Sequence, residues 1–417
     1  MSSSATAASI AIPLSEPAAG LRSGVNVRDV WIRGAAMTRF GKLPDRSGRE
    51  LVEEAVAAGL RDAEIEPKHV QAAFVGNASA GLMTGQECVR AQTVLRRTGL
   101  MGIPMTNVEN ACASASTALH LAWQSVAGGL RDCVVVIGYE KLHHEDRTRA
   151  HRALRAFSDL DENADVLGAA AGARPSLAMV LYGAASNGGG RDLFDREALA
   201  LVSVKNHDHG SLNPYARYRQ PVTVEEVLAS PRVEGRLTQL MCAPPGDGAA
   251  CLVLCAPGFR HARSGGARIV ASVLTSGRGD DMRLPMSIER ATRAAYDQAG
   301  LGPEDLDVLE LHDATAVGEL FVYPYLGLCR DGDAERLVRD RVTWLGGRLP
   351  ANPSGGLLSR GHPAGATGAA QVVELVWQLE GRCGPRQVPG ARIGLAENPG
   401  GWLGADAAAC CLHILQA

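Results

Sequence analysis

Apolar positions along the chain recur with two alternating periods. From Ser47 to Asp62 they fall at helical spacing; then come the turn Ala63-Glu-Ile-Glu-Pro67 and the short apolar run Val70-Gln-Ala-Ala-Phe-Val-Gly76, a strand pattern. The same phrase returns later as a helix over Ser287–Gln298, the turn Ala299-Gly-Leu-Gly-Pro303 and a strand over Asp307–His312. A second pair repeats as well. Asn110–Trp123 and Gly361–Trp377 are small-residue turns running into apolar helices, followed by strands over Asp132–Gly138 and Ala391–Ala396. A glycine-rich turn, Asn398–Gly404, precedes a last strand over Ala407–Leu415. The chain therefore reads as a tandem α/β duplication, with sheets covered by helices on both faces.

The repeat divides the chain into an N-terminal half over 26–260 and a C-terminal half over 266–417. Residues of about 141–240 are more polar and less periodic, and include the flexible turn Ser186–Arg191. They read as an insertion between the repeated segments rather than a third domain, and long inserted loops often serve as lids or binding surfaces. Residues 1–25 are rich in Ser and Ala, lack the basic start and long apolar run of a secretory signal, and read as a disordered tail, with an organellar address as the competing reading.

Composition narrows the function classes. The 48 glycines imply tight turns or close backbone approach, and the net charge of -3 offers no reason to expect nucleic acid or an anionic membrane as partner. No apolar run nears the roughly 20 residues needed to cross a bilayer. The ten cysteines are scattered, with no CxxC pair and no Cys/His cluster at zinc-ligand spacing. That usage fits a reducing cytoplasm and implies no metal site.

Four places carry candidate chemistry. Cys112 opens a helix among Ala and Ser, where backbone N–H groups would lower a thiol pKa and small neighbours would admit a substrate. A buried, inert cysteine fits the same segment equally well. His362 opens the repeat-related helix, so the two turns could face one another as thiol and base. His312-Asp313 ends a strand, the place where open α/β sheets bind ligands, although a histidine in a surface turn is the plainer reading. The Gly400-Gly401 turn could present N–H groups to an anion or simply connect strands.

These segments resemble the thiolase superfamily. Asn110-Ala-Cys112-Ala-Ser114 resembles the acylation motif, and Asn352 through Gly368, containing Gly361-His362-Pro363, resembles the GHP motif with its glycine-rich approach. His312-Asp313 and Lys205-Asn-His-Asp-His-Gly-Ser-Leu-Asn-Pro214 look like the sterol-carrier-protein-type branch. The resemblance covers the chain after the tail. It implies the thiolase fold, a tandem duplicated, layered α-β-α-β-α core with an inserted loop domain, and a homodimer. It also implies Cys112 as the acylated nucleophile, His362 as its activator, and His312 as a residue that orients water or completes an oxyanion hole. Gly400 or Gly401 would offer an N–H to the thioester oxygen together with Cys112. The family places coenzyme A on the loop domain, where Lys205, Arg217 and Arg219 are basic candidates. Coenzyme A thioester is then substrate, and no permanent cofactor is implied.

One departure matters. The second cysteine of the branch, the acid/base on the substrate carbon, is replaced by Ala314, and Glu397-Asn-Pro-Gly-Gly-Trp lacks the alternative C-terminal cysteine. A water held by His312, a residue such as Cys242, Cys329 or Tyr182, or an acceptor with its own stabilised carbanion could fill the role. The expected function is acyl transfer through acyl-Cys112, cleaving a specialised β-ketoacyl-CoA or forming a carbon–carbon bond. The alternatives are a C-acyltransferase acting on an activated non-CoA acceptor, a non-catalytic scaffold subunit, or a lipid-binding module. A small zinc-ribbon/OB-fold (DUF35-type) protein is an expected partner of such chains.

Overall fold

Ser47 starts the first helix with a reciprocal cap. Its Oγ accepts the Glu50 N–H at 3.3 Å, and the Glu50 carboxylate accepts the Ser47 N–H at 2.7 Å. A computed structural model describes residues 27–162, 194–279, 281, 283–404 and 406–417. The expected tail over 1–25, the Ser186–Arg191 turn and Tyr182 lie outside the described residues.

The first half contains β1 (Trp31–Met37), α1 (Gly48–Ala63), β2 (Ala72–Gly76), β3 (Met105–Val108), α2 (Ser114–Ala127) and β4 (Cys133–Lys141). After α3 (Arg147–Arg155) and α4 (Arg196–Ser211) it resumes with β5 (Asp247–Cys255). The second half contains β6 (Ala267–Ser276), α5 (Ser287–Ala299), β7 (Val308–Glu310), α6 (Ala316–Tyr325), α7 (Ala364–Leu379), β8 (Ile393–Gly400) and β9 (Ala409–Gln416).

The duplication is visible in the pairing. The nine strands run in the order β3-β2-β4-β5-β1-β6-β9-β8-β7. In the first half β2 pairs parallel to β4, then β4–β5 and β5–β1 pair antiparallel. In the second, β7 pairs parallel to β8, then β8–β9 and β9–β6 pair antiparallel. Where the first half has β3, the second has a single parallel bridge from Leu309 to Ala351. The halves meet edge to edge at Trp31–Arg268 and Ile32–Ala267.

Two helices form the central layer. α7 is buried from Ala364 to Gln378 and packs on β4, β5 and β1 of one half, on β7 and β8 of the other, and on α2. A helix buried on every side belongs inside a layered core rather than on a surface. α1 covers β1 and β5 from outside, and α5 covers β6 and β9, completing the α-β-α-β-α layering. The central helices converge at Gly138 of β4, where an added Cβ would lie 2.6 Å from Ala115 Cβ and 2.7 Å from Gly365 O. Only glycine lets both helix starts approach one strand this closely.

The structure refines several expected boundaries. β7 ends at Glu310, so His312 sits two residues beyond the strand. β8 runs on to Gly400, so the glycine turn begins at Gly401 rather than Asn398. The inserted segment holds α3, α4, a helix over Val224–Ala229 and a small hairpin of Arg232–Glu234 with Leu237–Thr238. Its apolar residues Leu199, Val202, Val227 and Met241 share a core with α6 and β9 of the second half.

Candidate active site

Cys112 lies in a 3₁₀ turn over Ala111–Ala113 that leads directly into α2. Ala111 adopts φ of 49°, a left-handed conformation unfavourable for a residue with a Cβ. The turn is pinned. Ser114 Oγ donates to Ala111 O at 2.6 Å and accepts the Asn110 N–H at 3.0 Å, while Asn110 Nδ2 donates to Thr117 Oγ1 at 2.9 Å. Strain held by such a lattice fixes the Sγ direction.

His362 stands at the matching place, after Gly361 (φ 102°) and before Pro363, the N-cap of α7. Its N–H donates to Pro244 O at 3.1 Å, and its carbonyl accepts the Gly246 N–H at 3.3 Å. The two turns meet: Cys112 Sγ and His362 Nε2 are 3.2 Å apart. The far side of the ring assigns the tautomer. Thr367 Oγ1 lies 2.8 Å from His362 Nδ1 and 3.1 Å from Pro363 O. A hydroxyl has one proton, and the Pro363 carbonyl can only accept it. The Thr367 oxygen therefore accepts Nδ1–H, and the lone pair of Nε2 faces the thiol.

The expected lowering of the Cys112 pKa does not hold. Burial, reinforced by the Glu140 charge and opposed by its own backbone N–H, pushes the thiol up to about 12. Glu140 is buried and accepts hydrogen bonds from Asn77 Nδ2, Ala78 N–H, Ser79 Oγ and the Gly365 N–H near the start of α7. His362 is held well below the usual imidazole range by burial, then by His312 and Arg360. The resting pair is thus neutral thiol beside neutral imidazole, able to pass a proton from sulfur to nitrogen as sulfur attacks.

His312 completes the cluster. Its ring meets that of His362 edge-on, with centroids 5.0 Å apart, and burial lowers its pKa to about 4. Both ring nitrogens are buried, and neither has a hydrogen-bond partner among the described residues. One donor atom from each of Cys112, His312 and His362 lies within 4.8 Å of the others. Three such donors could grip a thiophilic metal ion, but their chemistry equally suits a thiol, its base and a free imidazole. Asp313 points elsewhere: it accepts Leu357 N–H at 2.7 Å, Leu358 N–H at 3.2 Å and Asn206 Nδ2 at 2.7 Å, tying the His312 loop to the approach of His362.

The basic candidates separate. Lys205 is fully buried, paired with Glu319 at 2.9 Å and bonded to Ala351 O at 2.8 Å. It cannot meet a nucleotide in solvent, and that assignment is corrected: Lys205 braces the site from behind. Arg217 lines the cavity and donates to Pro245 O at 2.5 Å. Arg219 is exposed and outside the cavity lining.

The cluster of Cys112, His312 and His362 opens into a cavity of about 650 Å3. Its wall is mainly apolar, with Phe157, Leu240, Ile288, Phe321 and Trp402 among the contributors. Gly400 and Gly401 line it too. A Cβ on Gly400 would fall 2.1 Å from Asn110 O and 2.5 Å from Ala113 N, so β8 lies directly against the Cys112 turn. Ala314 and Cys242 also face the cavity, whereas Cys329 is not part of its wall. One residue there escaped the sequence reading. Glu397 is buried in the cavity wall, and its Oε2 accepts the His312 N–H at 3.0 Å. Its signal was present, a carboxylate in an apolar strand where most neighbours are Gly, Ala or Leu.

Comparison with known proteins agrees with this geometry. Residues 30–229 match the family described as thiolase, N-terminal domain, and residues 273–413 match thiolase C-terminal domain-like. An acetyl-CoA acetyltransferase of Methanothermobacter thermautotrophicus is 38% identical over 401 residues, spanning 94% of this chain and all of that protein. Human sterol carrier protein 2 is 36% identical over 405 residues, covering 90% of this chain and 70% of that protein. Among solved structures, an Ltp2-ChsH2(DUF35) aldolase superposes with a TM-score of 0.77 at 23% identity, covering 94% of this chain and 99% of that one. With two repeated halves, a cysteine turn facing a histidine turn, and full-length relatives, the chain is a member of the thiolase superfamily.

Proposed function

We propose that the protein carries an acyl group on Cys112, received from a coenzyme A thioester or a β-ketoacyl-CoA, and makes or breaks a carbon–carbon bond at the carbon next to the carbonyl. The observation that carries this reading is the 3.2 Å approach of Cys112 Sγ to a His362 nitrogen whose tautomer leaves it free to accept a proton. Sulfur attacks the carbonyl and its proton passes to His362 Nε2. The carbonyl electrons become an oxyanion, for which the Cys112 N–H and the Gly400-Gly401 turn, both at the cavity wall, are candidate donors. Collapse expels either the coenzyme A sulfur, with the proton returned from His362, or the carbanion of a cleaved β-keto thioester. His312, whose ring has no hydrogen-bond partner among the described residues, is a candidate to bind that oxygen or the attacking group.

The mainly apolar cavity supports a branched, aromatic or polycyclic acyl group better than acetyl, because burial of such a group supplies about 25 cal/mol per Å2 of apolar surface. Arg217 is the basic residue best placed for coenzyme A, with Arg219 beyond it. We further propose a cytoplasmic homodimer whose halves divide at residues 261–265. A small zinc-ribbon/OB-fold partner is also proposed, since the Ltp2 structure above is named with a DUF35 protein. A scaffold role is less well supported, because it needs neither the thiol nor the base. An activated acceptor without coenzyme A remains the second catalytic reading, motivated by Ala314.

The test is mass spectrometry of the purified protein after incubation with short, branched and aromatic acyl-CoA thioesters. An acyl adduct on the peptide containing Cys112, absent in Cys112→Ala, is expected. No adduct with any thioester, with candidate partner proteins present or absent, would move the assignment to a scaffold.

A further inference from the structure

Any carbon–carbon step at this site must move a proton at the substrate's α-carbon, and neither usual cysteine is present to do so. We propose that Glu397 is the acid/base for that carbon, standing in for the residue lost at Ala314. The proposal rests on the reading of Cys112 as the acyl carrier.

The placement is specific. Along β8 successive side chains point to opposite faces. Asn398 turns toward the central layer, where its Oδ1 accepts Ser116 Oγ at 2.8 Å. Glu397 therefore turns the other way, into the wall of the cavity that Cys112, His312, Ala314 and His362 also line. Its hydrogen bond to the His312 N–H anchors the carboxyl two residues from the vacant cysteine position. Only 3% of the residue is exposed.

The groups around it leave it free to work. Asp406 is committed to the Arg278 and Ser287 N–H groups and the Ser287 hydroxyl. Cys410, on the neighbouring strand, is kept protonated by burial and by the charges of Glu397, Cys411 and Asp406, only partly offset by Arg290. His312 presents its backbone N–H, and its neutral ring adds no charge. Burial raises the Glu397 carboxyl to about 7 against the pull of that one N–H. Both forms are then populated near neutral pH, as a group acting as base in one direction and acid in the other requires. Cys242 is the rival: Ala243 N–H donates to Ala314 O at 2.9 Å, so Cys242 also adjoins the vacant position. Burial pushes its thiol up to about 12. That makes it a poor base at neutral pH.

In the condensing direction, a Glu397 oxygen takes a proton from the α-carbon of an acyl-CoA and the C–H pair becomes the enolate. That carbon attacks the acyl-Cys112 carbonyl, a carbon–carbon bond forms, the C–S bond breaks, and the departing sulfur takes up, by way of His362, the proton that Glu397 removed, so that thiol and carboxylate are both restored. Cleavage is the reverse, with Glu397 delivering the proton.

The experiment measures two half-reactions separately, with propionyl-CoA and phenylacetyl-CoA as probes. Acylation of Cys112 is followed by mass, and exchange of α-hydrogens for deuterium by NMR in D2O. Glu397→Gln keeps an oxygen to accept the His312 N–H but cannot titrate. It should acylate at a rate within about threefold of wild type while exchange falls by ~10²–10⁴-fold. Wild-type exchange should rise with pH through about 7, and Glu397→Gln should lose that limb. Cys242→Ala alters the cavity wall, so its effect on binding should touch both reactions alike and should not lower exchange relative to acylation. Exchange at the wild-type rate in Glu397→Gln, or its loss in Cys242→Ala instead, overturns the proposal. Should Glu397→Gln fail to fold, Glu397→Asp must retain a pH-dependent limb, and wild-type exchange that is flat from about pH 5.5 to 8.5 would equally overturn it. Failure of wild type to acylate refutes the Cys112 reading instead.

Discussion

The turn carrying Cys112 and the turn carrying His362 occupy equivalent places, each just ahead of a central helix, yet the chain holds them by different means. The cysteine turn is held from within by Asn110 and Ser114 around a left-handed Ala111. The histidine turn is held from outside, by Pro244 and by Thr367 on the first turn of α7. The charge balance differs as well. Glu140, from the first half, reaches across to the Gly365 N–H at the start of α7 and adds to the burial that raises the pKa of the Cys112 thiol. Duplication therefore supplies two facing helix starts, and single residues that differ between the halves decide which side offers the proton and which accepts it.

The comparison breaks most visibly at the base. His362→Gln should slow acylation of Cys112 by ~10²–10⁴-fold in a single-turnover assay while the fold is retained. A fall of less than about threefold would mean that the thiol needs no base. Behind the histidine turn, Lys205→Met should leave Glu319 without its cation and cost about 3–5 kcal/mol in denaturant unfolding. An unchanged midpoint with a raised KM for coenzyme A would restore Lys205 to a nucleotide site. The smallest effect is expected at Thr367→Val, which removes the acceptor that sets the His362 tautomer. Acylation should slow about tenfold, the kinetic equivalent of one lost hydrogen bond.

Much of this arrangement was legible before any coordinates. Apolar periodicity marked α1 and α5, because each buries one face and leaves the other in solvent. The matched turns at Cys112 and His362 foretold their meeting, since a duplicated fold brings repeat-related helix starts to one axis. Other features were hidden because they depend on distant partners. Lys205 is a charged residue in a polar stretch, and nothing near it in sequence announces Glu319 or Ala351. The helix-start argument predicted an acidic thiol, but burial and Glu140 outweigh it. Glu397 stood in a quoted motif, yet its direction follows from β8 continuing to Gly400, a boundary that glycines obscure.

The central claim is that Cys112 and His362 rest as a neutral pair and move one proton when sulfur attacks. It is tested most directly by the rate of Cys112 alkylation with iodoacetamide in the free enzyme as a function of pH, with the adduct assigned by peptide mass. The account predicts a rate that keeps climbing beyond about pH 9 without a plateau at neutral pH, as burial of a thiol raised to about 12 requires. A plateau already reached by about pH 7 would reveal a resting thiolate–imidazolium pair and contradict it.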